Sequence, residues 1–185
     1  MYKRMNEQLQ KEGAMALVTG ASSGIGLAYA RELARRGYDL LLVSNEQEQI
    51  GTVAEELAAA FGVKTIPLCM DLARSEAARE LYEYCEREKL QIGILVNNAG
   101  IFFFDDLTEV APERIETMLL LHIRTVTLLC RYFGAAMKRR RAGYILNMSS
   151  LSAWTPAPGI SVYAASKSYI RKFSQMLRYE LHQYG

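Results

Sequence analysis

The sequence predicts an α/β fold, a doubly wound parallel sheet with helices on both faces. Three observations lead there. Short apolar runs alternate five times with longer segments of helical spacing. The apolar runs carry few polar residues, as strands covered on both faces do. A glycine-rich turn joins the first run to the first helix, the arrangement that opens many such sheets.

The predicted strands are Met15–Val18, Leu40–Val43, Thr65–Leu68, Ile92–Val96 and Tyr144–Asn147. The first helix runs from Ile25 to Arg36, with Ala28, Leu33 and Ala34 on its apolar side, and stops at Gly37. A second, rich in Ala and Glu, spans Glu46 to Phe61. A third, Ser75 to Lys89, has Leu81, Tyr82 and Cys85 as its stripe. Pro112 heads a long helix from Glu113 to Met137, at a position where proline is tolerated. The last helix is Ser161 to Tyr184. Residues 1–185 form one predicted domain, with 1–13 as an N-terminal extension. Ligands of such sheets bind at the carboxyl ends of the strands, so the loops after Val18, Val43, Leu68, Val96 and Asn147 are the places to search.

Composition narrows the class. The 185 residues carry 22 basic and 20 acidic side chains, a formal net charge of +2, which gives no field to draw nucleic acid or an anionic membrane. The run Lys138–Arg141 ends the long helix, where cations suit the carboxyl end. Cys69, Cys85 and Cys130 match no metal-ligand spacing and no disulfide framework, so neither a metal site nor an oxidising compartment is predicted, and a cytoplasmic home is. The most apolar stretch, Met118 to Phe133, is broken by His122, Arg124 and Arg131, which argues against a membrane span.

The turn after the first strand reads Thr19-Gly20-Ala21-Ser22-Ser23-Gly24-Ile25-Gly26. Its glycines let the backbone turn sharply and approach a pyrophosphate, and the helix that follows offers free N–H groups to that anion. Ser22 and Ser23 either cap the helix or donate to phosphate. This stretch resembles the TGxxxGIG signature of the short-chain dehydrogenase/reductase family, whose fold is Rossmann-like. Asp71-Leu72, Asn97-Asn98-Ala99-Gly100, and Ser150 with Tyr163 and Lys167 (S-x12-Y-x3-K) match further family motifs, in order. The resemblance runs from Ala14 to the end of the chain. It implies an NAD(P)-dependent oxidoreductase moving hydride between a nicotinamide cofactor and a carbonyl or alcohol. The implied cofactor contacts are Gly20, Ser22, Ser23, Gly24, Ile25, Gly26, Asn45, Asp71, Leu72, Asn98, Ala99, Gly100, Tyr163 and Lys167. Asp71 has a second reading, as cap of the helix that follows it.

Tyr163 and Lys167 are four apart on a predicted helix and so share a face. A free phenol titrates near about 10 and is a poor acid–base catalyst at neutrality; a neighbouring ammonium favours the phenolate. Ser150 would hydrogen-bond the substrate oxygen. Ser149 competes with it, and strand alternation implies that only one faces the site; the family spacing selects Ser150.

Three features depart from the family pattern. His122 stands where an asparagine helps to hold a proton-relay water; the histidine either takes over that relay or is a buried residue with a local partner. At the end of the second strand, Ser44 occupies the usual acidic position and Asn45 the usual basic one. Without a carboxylate to repel a 2′-phosphate the reading leans to NADP(H) over NAD(H), and Glu46 pulls against it. Finally, family members continue beyond the Tyr163 helix, so the resemblance implies a fold truncated at Gly185, with the last strand an open edge.

Phe102, Phe103 and Phe104, and Trp154, Pro156 and Pro158, are expected to border the substrate side or to pack in a core. The resemblance implies a homodimer or homotetramer built on the two long helices. Two alternatives compete with the enzyme: a catalytically silent nucleotide-binding or regulatory module of the same fold, and a methyltransferase on a similar sheet, which would need an acid after the second strand and no Tyr163–Lys167 pair.

Overall fold

A computed structural model describes Leu9, residues 13–155 and residues 157–185. The N-terminal extension therefore lies almost wholly outside the described residues, as does Pro156. Five strands are described: β1 Met15–Thr19, β2 Leu40–Ser44, β3 Thr65–Cys69, β4 Ile92–Asn97 and β5 Tyr144–Asn147. The helices are α1 Gly24–Arg35, α2 Gln47–Phe61, α3 Ala77–Arg87, α4 Pro112–Leu119, α5 Val126–Arg140 and α6 Ser161–Leu181. The strands form one parallel sheet in the order β3-β2-β1-β4-β5. The order reverses between β1 and β4, which opens a crevice at their carboxyl ends.

Strand alternation sorts the core into two layers. Ala16, Val18, Leu40, Leu42, Ile94 and Val96 face Ala30, Ala34, Ile50, Val53 and Leu57 of α1 and α2. Met15, Leu17, Leu41, Val43 and Leu95 face Leu81, Cys85, Leu129, Phe133 and Met137 of α3 and α5. Leu17, Leu40, Leu41, Leu42 and Leu95 are fully buried, each worth roughly 1.5–3 kcal/mol of transfer free energy. Leu9 is fully buried as well and packs in the first layer; its carbonyl accepts from Ala14 N–H at 2.9 Å.

Apart from small shifts at helix ends, four features differ from the sequence reading. Ala28 is exposed, and the buried stripe of α1 is Gly26, Ala30 and Ala34, because small residues let the helix lie close to the sheet. The third helix begins at Ala77, not Ser75, since Asp71 Oδ1 accepts from Ala73 N–H at 2.9 Å and holds the chain in a turn. Asp71 is therefore not that helix's cap. β5 has the predicted bounds and ends at Asn147, so Ser149 and Ser150 lie past it and the strand alternation expected to choose between them does not reach them.

The fourth difference is in the long helix. It is not one α-helix: Leu120–Thr125 form a π-helical turn between α4 and α5, centred on His122. One extra residue per turn marks a local insertion, a feature often found at functional sites. Lys138, Arg139 and Arg140 do occupy the last turn of α5, where they complement the helix dipole.

Candidate active site

The crevice at the β1/β4 switch is a cleft of about 630 Å³. It is lined by Gly20, Ser22, Ser23, Gly24, Ile25, Asn45, Asp71, Leu72, Asn98, Ala99, Gly100, His122, Ser150, Tyr163 and Lys167. Of the site residues named from sequence only Gly26 is missing from its wall, and Gly26 lies directly under the loop. The fold brings together in one cleft groups that lie between positions 20 and 167 of the sequence.

The glycine loop is built for close backbone approach. Gly20 has φ +64°, and a Cβ there would stand 2.9 Å from Ala99 Cα. A Cβ on Gly26 would fall on the Gly20 carbonyl. Gly24 has φ +54° with open space around it. Two glycines therefore close the turn onto β4, and the third leaves room over the N-terminus of α1. Ser23 sits at the cap position, yet its side chain makes no cap bond. The first N–H groups of α1 thus receive no side-chain cap, and uncapped helix N–H groups suit an anion.

Thr19 locks this loop to β4, a role the sequence reading missed. Its buried Oγ1 donates to Val96 O at 3.3 Å and accepts from the N–H groups of Asn98 and Ala99, both at 3.0 Å. Asn98 Nδ2 donates back to Thr19 O at 3.1 Å and Gly20 O at 3.2 Å. Asn98 thus borders the cleft but spends its amide on bracing the loop. Leu72 likewise borders the cleft while its side chain belongs to the core. The pairing of residues 79 apart leaves no trace in local spacing.

Ser22 does not cap α1. Its hydroxyl donates to Glu46 Oε2 at 2.7 Å and accepts from Ser44 Oγ at 2.9 Å, while Glu46 N–H donates to Ser44 Oγ at 3.1 Å. Asn45 is exposed at the same rim.

The other end of the cleft holds Tyr163 and Lys167 on one face of α6. Lys167 is 4% exposed and its Nζ donates to Met148 O at 3.0 Å and lies 5.6 Å from the centre of the Tyr163 ring. Burial lowers its pKa to about 8. Both serines after β5 border the cleft, so strand alternation does not choose between them; their protons do. Ser149 Oγ donates to Lys167 O at 2.9 Å and is committed. Ser150 Oγ accepts from Ser152 N–H at 3.2 Å and Ser152 Oγ at 3.0 Å, and keeps its own proton to donate.

His122 is 1% exposed. Its Nε2 accepts from Ile101 N–H at 3.0 Å, and its Nδ1 lies 2.9 Å from Ser166 Oγ. Ser166 Oγ gives its proton to Tyr163 O at 2.8 Å, so Nδ1 must be the donor to it. The ring is therefore neutral with the proton on Nδ1, and burial, with Lys167 as the lesser cause, lowers its pKa to about 4. Both nitrogens are taken, so the ring ties the turn after β4 to α6 rather than facing a substrate. Gly100 makes this possible: a Cβ there would stand 2.9 Å from His122 Nε2.

The aromatic residues part company. Phe102 lines the cleft and packs edge-on against Tyr163, ring centres 4.9 Å apart. Phe103 is buried with Val110 and Met118. Phe104 and Trp154 are exposed, the latter with the Arg171 guanidinium 4.3 Å above its ring. No group of metal-ligating side chains and no helix long and apolar enough to cross a membrane occurs among the described residues.

A cleft of this topology, with a glycine turn at one end and a Tyr–Lys pair at the other, is the arrangement that the motif resemblance implies. Residues 14–185 match the short chain dehydrogenase family model, and the chain belongs to that family. It is 37% identical over 180 residues to the very-long-chain 3-oxoacyl-CoA reductase of Anas platyrhynchos, covering 94% of this chain and 56% of that protein. It is 34% identical over 182 residues to the inactive hydroxysteroid dehydrogenase-like protein 1 of Homo sapiens, covering 96% of this chain and 54% of that protein. A short-chain dehydrogenase from Sphingobium yanoikuyae in complex with NADPH superposes with a TM-score of 0.88 at 34% identity, over 93% of this chain and 67% of that one. The chain spans about half the length of the curated relatives it matches.

Proposed function

We propose that this protein is an NAD(P)-dependent oxidoreductase that transfers hydride between a nicotinamide cofactor and a bulky apolar ketone or alcohol, with Tyr163 as general acid–base. One observation carries the reading: Ser150, Tyr163 and Lys167 converge on the cleft that the glycine loop opens. The cofactor supplies the hydride when bound. The N-terminus of α1, over open Gly24, would hold its pyrophosphate, with Ser23 and Ile25 beside it. Asp71, Ala99 and Gly100 would border its path, and Lys167 would hold its nicotinamide ribose. Gly20, Gly26 and Asn98 serve the cofactor indirectly, by shaping and bracing the loop.

In the reductive direction the Ser150 hydroxyl donates a hydrogen bond to the substrate oxygen without losing its proton, and Tyr163 transfers the one proton that this oxygen takes up as charge develops on it. Lys167 stabilises the resulting phenolate. His122 is a positioning residue that keeps Ile101 and the Tyr163 turn of α6 in place; the relay role is not assigned to it. Phe102 supplies apolar wall next to Tyr163, and the names of the reductase and hydroxysteroid dehydrogenase relatives favour a large hydrophobic carbonyl compound. The exposed Tyr169, Met176 and Tyr179 of α6 support a homodimer or homotetramer, and three free thiols support a cytoplasmic setting. The sequence's lean to NADP(H) has support in the NADPH-bound relative, but it rests on the lack of an acid at Ser44, and Glu46 brings a carboxylate to the same rim.

The silent-module alternative has one specific observation behind it, a relative named inactive. Oxidation of NADH and NADPH by a panel of bulky ketones separates the two readings. Tyr163→Phe is expected to abolish most turnover and to leave nucleotide affinity within about threefold. Unchanged turnover would remove the acid–base assignment.

A further inference from the structure

We propose that Glu46 makes the cleft selective for NAD(H) over NADP(H) by accepting the hydroxyls of the adenosine ribose, an inference that rests on the nicotinamide-dinucleotide reading above. Ser44, at the position where the family pattern carries an acid, is buried and turned to local work. Its hydroxyl donates to Ser22 Oγ, which donates to Glu46 Oε2, and the Glu46 N–H returns to Ser44 Oγ. These three bonds, of 2.9, 2.7 and 3.1 Å, form a small closed circuit between the glycine loop and the end of β2. Its product is a carboxylate held at the cleft rim, 20 residues beyond Gly26, the separation at which such folds place their ribose acceptor.

A carboxylate has about four acceptor sites, and Ser22 occupies one. The rest are open to a ribose diol, which brings two O–H donors. A 2′-phosphate brings no donor at neutral pH and about two negative charges. It would meet Glu46 directly, with Asp71 on the same side of the cleft. Among the described residues lining the cleft, the sole ammonium or guanidinium group is Lys167, beside β5, on the far side of β1 and β4 from Glu46. Asn45, at the usual basic position, is neutral. The rim therefore offers a phosphate repulsion without compensation and offers a diol a charge-assisted hydrogen bond. The acid missing at Ser44 is thus replaced two residues later, on a different backbone position, through a serine that the glycine loop supplies.

Equilibrium titration of the purified chain with NADH and with NADPH, followed by calorimetry, tests this without any substrate. NADH is expected to bind at least about tenfold more tightly, the usual scale of one hydrogen bond to a charged group. Glu46→Gln keeps the side chain's size and is expected to bring the two affinities to within about threefold. Ser22→Ala, which releases the carboxylate without removing it, is expected to lie between. Tighter binding of NADPH by the unaltered protein, or a ratio that Glu46→Gln leaves unchanged, would overturn the role of Glu46 and leave the oxidoreductase reading standing. Binding of neither nucleotide would overturn that reading and the inference with it.

Discussion

Acidification is a direct test of a neutral, doubly bonded His122. In the folded protein its pKa is lowered from 6.5 to about 4 by burial first and by Lys167 second. In the unfolded chain it titrates at its ordinary value. Between those two pH values the unfolded state binds a proton that the folded state refuses. Stability from this residue is therefore complete above pH 6.5 and is lost as pH falls through about 4. At about 1.4 kcal/mol per pH unit, the window from 6.5 to about 4 removes roughly 3 kcal/mol. Urea unfolding of the wild type and of His122→Asn, from pH 7 to pH 4, isolates this contribution, because every carboxylate titrates in both proteins and cancels in the difference. Asparagine can still accept from Ile101 N–H and donate to Ser166, so the fold is retained. The gap between the two stability curves should change by about 3 kcal/mol in favour of the variant at pH 4. Parallel curves would refute a neutral buried ring.

Gly26→Ala should lower stability by about 3 kcal/mol, because the obstructing atom is the Gly20 backbone carbonyl, which has nowhere to swing. At this chain length that is a fall of roughly 6–12 °C in Tm, readable by thermal melting, with loss of nucleotide binding. Thr19→Val keeps the shape but leaves the Asn98 and Ala99 N–H groups without their acceptor; about 2–4 kcal/mol should be lost, and hydrogen exchange at those two amides should accelerate. Ser150→Ala should reduce kcat by about 10²–10³, whereas Ser149→Ala, which only releases the Lys167 carbonyl, should cost about 1 kcal/mol of stability; steady-state kinetics and melting on the same pair distinguish them.

What the sequence made legible was whatever repeats locally. Apolar runs located all five strands: β1, β2 and β4 are buried along their whole length, and the partly exposed edge strands β3 and β5 still carry apolar residues toward the two core layers. Motif spacing located the ends of the cleft, because Tyr163 and Lys167 are related by a helix turn and the glycines by one loop. What escaped depends on residues that meet only after folding. Thr19 and Asn98 are ordinary polar residues until β1 and β4 lie side by side. The choice between Ser149 and Ser150 rests on which carbonyl α6 presents, not on strand alternation. The π-helical turn was invisible because its residues are ones that an ordinary α-helix also accepts.

That turn also determines what the rod from Pro112 to Arg140 can serve. Upstream of it, Met118 packs with Phe103 and Val110; downstream, Leu129, Phe133 and Met137 pack against the sheet. Because a π turn spreads one extra residue over nearly the same rotation, deletion of one residue within Leu120–Thr125 would let the rod close as ordinary α-helix with α5 still on the sheet, and what would be lost is the bulge that places His122 between Ile101 and Ser166.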